Sequence, residues 1–368
     1  MHGGTGTIGT GSSTLSARRI LIIRLDRIGD VVLSTPVIRA LRHAFPSVQL
    51  AMLVRPVCRE LLDGHPDLNE VLCYDRDGTQ HGWWATLRFG WGLRARGFDT
   101  ALVLHPTNRS HVIAWAAGIP RRIGYARKSG WLLTQRLPHD KHLGARHESE
   151  CALDLVRALG VAVEAVPAPS IAQRPEHREQ VERWLAARGV RSDTSLIALH
   201  PSASDEAKRW PAERFAEAGD RLAAASSARA IVISGPEAVD RGREVVERMH
   251  APPVDASGQW SLGQLAAALA RCRLLISNDS GPVHIAAAVG TPVVSLFGRN
   301  QPGLGPARWG PVGARHVALH KDAPDGRCCT DARCPRPFLD VDALTVDDVV
   351  AVAKHVLAAS AASTPASR

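Results

Sequence analysis

Short apolar runs alternate with helical patterns along this chain, and the alternation runs through twice. That rhythm constrains the fold more than any single motif. Parallel strands cannot be joined by a hairpin, so each needs a crossover, usually a helix, before the next can pair. In the first half the pattern predicts strands at Ile20–Leu25, Gln49–Val54, Glu70–Cys73 and Thr100–Leu104. Helices are predicted at Val31–Ala44, His111–Ala117 and Glu148–Leu159. A Pro- and Ala-rich stretch, VAVEAVPAPSIAQRPE, then breaks the rhythm and marks a linker, followed by a helix at Arg178–Arg188. The pattern restarts with strands at Leu196–Leu199, Ala230–Ser234, Leu274–Ser277 and Val293–Phe297. Helices at Ala212–Ala224, Ala238–Met249, Leu262–Ala270 and Pro282–Ala288 alternate with them, and an amphipathic helix closes the chain at Thr345–Ala358.

The expected organisation is therefore α/β, with a tail at 1–18, a first domain at 19–170, a linker at 171–192 and a second domain at 193–368. A length of 368 residues fits two domains better than one. Two strand ends echo each other, TALVLHPTNRS and LIALHPSASDE, as two similar halves facing across a cleft would. Open parallel sheets bind ligands at the carboxyl ends of their strands.

Charge narrows the partners. Lysine plus arginine outnumber the acids 45 to 36, a net +9, which favours phosphates, nucleic acid or an anionic membrane surface, or else reflects an arginine-rich solvated surface. No apolar run approaches the ~18 residues of a membrane span. The N-terminal MHGGTGTIGTGSSTLSARR lacks the apolar core of a signal peptide, so a cytoplasmic location is expected. Its GxGxxG, at Gly4, Gly6 and Gly9, precedes the first strand and so cannot be a dinucleotide fingerprint. Of seven cysteines only Cys328, Cys329 and Cys334 cluster, and no fourth follows, which favours a structural or incidental role over a metal site.

Chemistry concentrates in four turns. RLDRIGD follows the first strand, and its Asp30 sits where a phosphate would otherwise meet a helix N-terminus. A carboxylate there repels phosphate, so Asp30 is either a helix cap or a general base facing the cleft. Gly29 permits a tight turn beside it. SNDSGPVHIAAAVGTPVVSLFG reads differently: Ser280 and Gly281 open a helix, Pro282 suits its first turn, and His284 either reaches the same ligand or is structural. Asp279 is placed for sugar hydroxyls or for orienting neighbours. HPSASDEAKRWPAERF supplies Ser202, Ser204 and Lys208, the last either a phosphate counter-charge or a surface lysine. VISGPEAVDR supplies Glu237, for ribose hydroxyls or for helix capping. Basic residues Arg55, Arg59 and Arg109 in the first half are candidates for an anionic acceptor, and Arg55 and Arg59 would share a face on a helix.

Taken together, RLDRIGDVVLSTPVIRAL, KRWPAERF and NDSGPVHIAAAVGTPVVSLFG resemble glycosyltransferase family 9, the ADP-heptose:lipopolysaccharide heptosyltransferases, in order, spacing and wording. RRIGY, LLTQRLP, HESECALDLVRALG and ARWGP are also family-like, and the likeness runs from about Arg19 to Ala358. The resemblance implies a GT-B fold of two Rossmann-like domains, with the nucleotide sugar on the second and the acceptor on the first. It implies an inverting transfer of heptose from ADP-heptose to a lipopolysaccharide-core hydroxyl, with no metal, no cofactor and no nucleic acid. Asp30 falls on the family's catalytic aspartate, Lys208 on its phosphate-binding lysine, and Asp279, Ser280, Gly281 and His284 on its donor run; Glu237 falls on its nucleotide-pocket glutamate. Peripheral contact with the inner membrane's cytoplasmic face is expected. The alternatives are a non-catalytic nucleotide-sugar-binding protein and a two-domain nucleotide-sugar epimerase. The short CCTDARC departs from relatives with a longer cysteine-spaced segment.

Overall fold

The strand RILII, β1 (Arg19–Ile23), shows why the first half folds as it does. Ile20 to Ile23 are all fully buried. Ile20 and Ile22 enter one hydrophobic core while Leu21 and Ile23 enter another, on the opposite face of the sheet. A strand apolar on both sides can sit only in the middle of a parallel sheet covered on both faces. The computed structural model describes residues 17–299, 303–321 and 341–362.

Around β1 lie β2 (Gln49–Val54), β3 (Glu70–Cys73), β4 (Thr100–Val103), β5 (Arg121–Tyr125) and β6 (Gln135–Leu137), all parallel, in the spatial order β3-β2-β1-β4-β5-β6. Helices α1 (Ile28–Leu33), α2 (Thr35–Ala44) and α5 (Glu148–Arg157) cover one face. Helices α3 (Trp83–Gly92) and α4 (Asn108–Ala116) cover the other. The second half repeats the plan with β7 (Leu196–His200), β8 (Arg229–Ser234), β9 (Val254–Ser257), β10 (Leu274–Asn278), β11 (Val293–Leu296) and β12 (His316–Leu319). Their order is β12-β11-β10-β7-β8-β9. Counted from its own first strand, each half thus reads 3-2-1-4-5-6, the doubly wound arrangement.

Chain direction across each sheet reverses between the first and fourth strands, β1 and β4 in one half and β7 and β10 in the other. Loops diverge there and leave a crevice at the carboxyl ends. Three of the four turns picked out in the sequence follow β1, β7 and β10, so topology alone brings them to the two crevices; the fourth, with Glu237, follows β8, next to β7 in the sheet.

Two segments tie the halves together. Residues 161–174 cross over without a regular element, and α6 (Pro175–Ala186) follows. That helix packs on α9 (Leu262–Ala270), where Trp184 meets Trp260 edge-on at 5.0 Å, and Val181 and Leu185 join the second half's core. Helices α7 (Ala212–Ser226), α8 (Val239–Arg248), α10 (Gly281–Ala288) and α11 (Pro306–Trp309) complete the second half, and α12 (Val346–Ala362) packs back on α7. Among the described residues no helix is long and apolar enough to cross a membrane.

Three expectations need correction. The single helix Val31–Ala44 is two, broken at Ser34, because Pro36 in the first turn of α2 has no N–H to continue the ladder from α1. Strands β5, β6, β9 and β12 and helices α3 and α11 escaped the sequence reading. RRIGY and QRL carry arginines near a sheet edge, half-buried in the first and exposed in the second, and α3 contains two glycines. Finally, Arg55 and Arg59 do not share an α-helical face: Pro56–Leu61 is a 3₁₀ turn, and each arginine pairs with a different acid, Asp77 and Asp63.

Candidate active site in the interdomain cleft

Between the halves opens a cleft of about 800 Å³. Helix α1 and helix α10 meet at one side of it, where a Cβ built on Gly29 would lie 2.6 Å from His284 Cδ2. Any side chain at Gly29 would have to displace the His284 ring.

On the first-half wall the organising residue is Arg24, buried at the end of β1. Its guanidinium meets three carboxylates: Asp26 through Nε at 2.8 Å, Asp30 through Nη2 at 2.7 Å and Glu148 through Nη1 at 3.0 Å. Burial alone would lower the Arg24 pKa, but these three acids outweigh it and raise it. Asp30 lies in the first turn of α1 yet caps nothing; the N-cap is Arg27, and it has no side-chain cap bond. The capping alternative is thereby removed. Burial pushes the neighbouring Asp26 up, to about 7, despite Arg24.

Behind Arg24 sits Glu148, itself buried. Lys141 Nζ donates to Oε1 at 2.7 Å, and Arg308 of α11 donates to Oε2 through Nη2 at 2.8 Å and Nε at 3.1 Å. Burial would raise this carboxyl, but Arg24, Lys141 and Arg308 hold it well below the usual carboxylate range. Since Arg308 belongs to the second half, the network spans the domain boundary. His147 Nε2, hydrogen-bonded to Gly310 O at 2.9 Å, crosses it as well.

The second-half wall gathers the turns after β7, β8 and β10. Lys208 Nζ lies 2.7 Å from Asp279 Oδ2, so the proposed phosphate counter-charge and the carboxylate form an ion pair at the cleft surface. Ser280 precedes α10 without capping it: its hydroxyl donates to Asn278 O at 3.0 Å and meets His200 Nδ1 at 3.2 Å. The start of α10, Gly281 and Pro282, lines the cleft and offers it the positive end of a helix dipole. His284 is buried there, which pushes it down to about 4, and its Nδ1 has no hydrogen-bond partner among the described residues. Buried Ser202, exposed Ser204 and exposed Glu237 line the same space.

Asp30, Lys208, Ser202, Ser204, Glu237, Asp279, Ser280, Gly281 and His284 are thus brought to one cleft. Arg55, Arg59 and Arg109 are not among its lining residues. Arg109 holds Tyr74 Oη at 2.9 Å and Thr86 Oγ1 at 2.7 Å and stacks over Trp83. Sequence reasoning passed over Arg27, Arg209, Arg299, Trp260 and Trp309, which also line it. Arg27 was legible inside RLDRIGD, and Arg299 as the first cation past a buried strand. Among the described residues no group of three or more His, Cys, Asp or Glu could hold a metal; Cys328, Cys329 and Cys334 lie outside them, as do Gly4, Gly6 and Gly9.

Two Rossmann-like sheets with a shared cleft define a GT-B glycosyltransferase fold. Residues 86–335 match the family described as glycosyltransferase family 9 (heptosyltransferase), and the chain belongs to that family. Lipopolysaccharide heptosyltransferase 2 of Escherichia coli K12 is 24% identical over 296 residues, covering 78% of this chain and 85% of that protein. A glycosyltransferase family 9 structure from Veillonella parvula superposes with a TM-score of 0.84 at 27% identity, covering 93% of this chain and 98% of the other. The structure of E. coli ADP-heptose lps heptosyltransferase II gives 0.77 at 21% identity, covering 93% and 99%.

Proposed function

We propose that this glycosyltransferase moves a heptose from ADP-heptose to a hydroxyl of the lipopolysaccharide core, a Kdo or a heptose, with inversion. One observation carries the reading: Asp30, clamped by Arg24 at 2.7 Å, lines the same cleft as the Lys208–Asp279 pair and the N-terminus of α10. A base and a phosphate seat on opposite walls are what an in-line displacement needs.

In this reading Asp30 accepts the proton of the acceptor hydroxyl. The freed oxygen attacks the anomeric carbon from one face. The bond from that carbon to the diphosphate oxygen breaks on the other, and ADP departs with the electron pair. Charge grows on the leaving phosphate, where Lys208 and the start of α10 stabilise it. Those positive groups make a divalent metal unnecessary. Asp279 holds Lys208 until phosphate takes its place, Glu237 accepts ribose hydroxyls, and Arg55, Arg59 and Arg109 serve the anionic acceptor. The enzyme works peripherally at the cytoplasmic face of the inner membrane. The family match does not favour the epimerase or non-catalytic alternatives.

Asp30→Asn tests the mechanism. Turnover falls about 10²–10⁴-fold, the usual cost of losing a general base, while the donor KM stays put. Near-normal turnover would leave Asp30 a packing residue.

A further inference from the structure

The chain's positive charge is not spread evenly. Between Asp77 and Asp140 stand nine cations, from Arg88 to Arg136, against a single acid, Asp99. That net +8 is nearly all of the chain's +9. The segment builds α3 and α4, the layer on the side of the first sheet away from α2 and α5, together with β4, β5 and β6 of the sheet itself; Arg121 alone is seen to reach the other way, to Ala158 O at the end of α5.

The same layer carries the molecule's exposed tryptophans. Trp84 is 85% exposed, Trp131 73%, Trp91 65%, Trp83 51% and Trp115 50%. The other four, Trp184, Trp210, Trp260 and Trp309, are covered or partly covered in the second half. On α3 the exposed residues Trp84, Arg88 and Trp91 fall at i, i+4 and i+7, one face of the helix, while Thr86, Phe89 and Gly90 turn inward. Arg94 stacks over Trp91 at 4.7 Å and donates to Ala116 O on α4, which joins the two helices. Arg127 and Lys128 stand exposed just before Trp131. Arg96 is the exception, being paired with Glu70.

Tryptophan and arginine suit one solvent boundary in common. An indole buries its ring among acyl chains and keeps its N–H among headgroups, and a guanidinium stays with the phosphates. We propose that the α3–α4 face is a docking surface for an anionic lipid bilayer, lying on it without insertion of a helix. Charge complementarity selects the occupant: a basic face nearly free of acids repels a second copy of itself and favours an anionic surface. The proposal rests on the membrane-side reading of the function and names the surface responsible.

The test is co-sedimentation of the full chain with vesicles of phosphatidylethanolamine and phosphatidylglycerol, against vesicles of phosphatidylcholine alone. The anionic vesicles bind at least tenfold more tightly, salt weakens the binding, and tryptophan emission shifts to the blue. Trp84→Ala with Trp91→Ala lowers the affinity at least tenfold at an unchanged melting temperature, and Arg88→Glu lowers it separately. Turnover on a water-soluble, deacylated acceptor stays as in the parent. Equal binding to both vesicle types, or undiminished binding by the double variant, overturns the proposal. So does a wild-type dimer that the double variant dissolves, which assigns the face to self-association. Vesicle binding without transfer to any acceptor would sustain this inference and sink the functional reading; transfer to the soluble acceptor without vesicle binding would do the reverse.

Discussion

Glu148→Gln is the most informative single perturbation of this molecule. The carboxylate is 2% exposed and receives Arg24, Lys141 and Arg308 at 3.0, 2.7 and 2.8 Å. The amide keeps the shape and removes the charge, so three cations, two of them buried, lose a shared anion. Breaking a buried pair in this way costs about 3–5 kcal/mol, because the remaining charges stay desolvated. In a domain of this size each kcal/mol moves the melting temperature by about 2–4 °C, so a fall of about 6–20 °C is expected. Differential scanning calorimetry measures it. The pH dependence adds an internal check. A carboxyl held below its unfolded value stabilises fully above that value, about 4.3, and loses its contribution as pH falls below it. The gap between wild type and variant should therefore be constant above about pH 5 and shrink below about pH 4. Buried His200 and His284, both pushed down to about 4, destabilise both proteins alike on the acid side and cancel in the difference. A shift under about 2 °C, against the cost expected for a broken buried pair, or a gap that widens on acidification, refutes the account of the network.

Lys208→Ala should weaken ADP binding by about 1.5–3 kcal/mol, or roughly 10–150-fold, with Asp279 left unneutralised beside the diphosphate; unchanged affinity by calorimetry would make the lysine a surface feature. Activity should survive excess chelator, and loss restored by one added metal would overturn the metal-free reading. Replacing Arg55 and Arg59 by serine should raise the acceptor KM and leave the donor KM alone. Because each is already paired with an acid, the melting temperature should move by no more than surface ion pairs allow, about 0–1 kcal/mol of stability. A change in the donor KM instead would place both arginines on the wrong substrate.

How far the sequence carried these conclusions depends on the residue. The central strands announce themselves, since β1 and β10 are apolar on both faces and read as strands without any context. Asp30, Lys208 and the Ser280–Gly281 turn were visible as strand-end chemistry, because a doubly wound sheet sends such ends to one place. Edge strands such as β6, three residues long with one exposed arginine, give no periodicity to detect. Nor does the Arg24 cluster: Glu148 lies 124 residues further along and Arg308 a further 160, and charge pairing at that separation leaves no local trace. Arg24 itself was read as one more residue in an apolar run, although a cation buried at a strand end requires anions around it. The tryptophans of α3 were equally plain as letters, but only burial distinguishes a core indole from an exposed one.

The hydrogen on Gly29 that stands where other residues carry a side chain sets the spacing of the whole machine. With His284 so close, the base-bearing turn and the donor-bearing helix rest on each other like the jaws of a closed caliper. A single methyl there is a shim. It pushes on the His284 ring and so on the distance across which sugar passes, while leaving Asp30 and Lys208 chemically intact. Gly29→Ala would thus separate two properties that other substitutions confound: how well each substrate is held, and whether the two are held close enough to react.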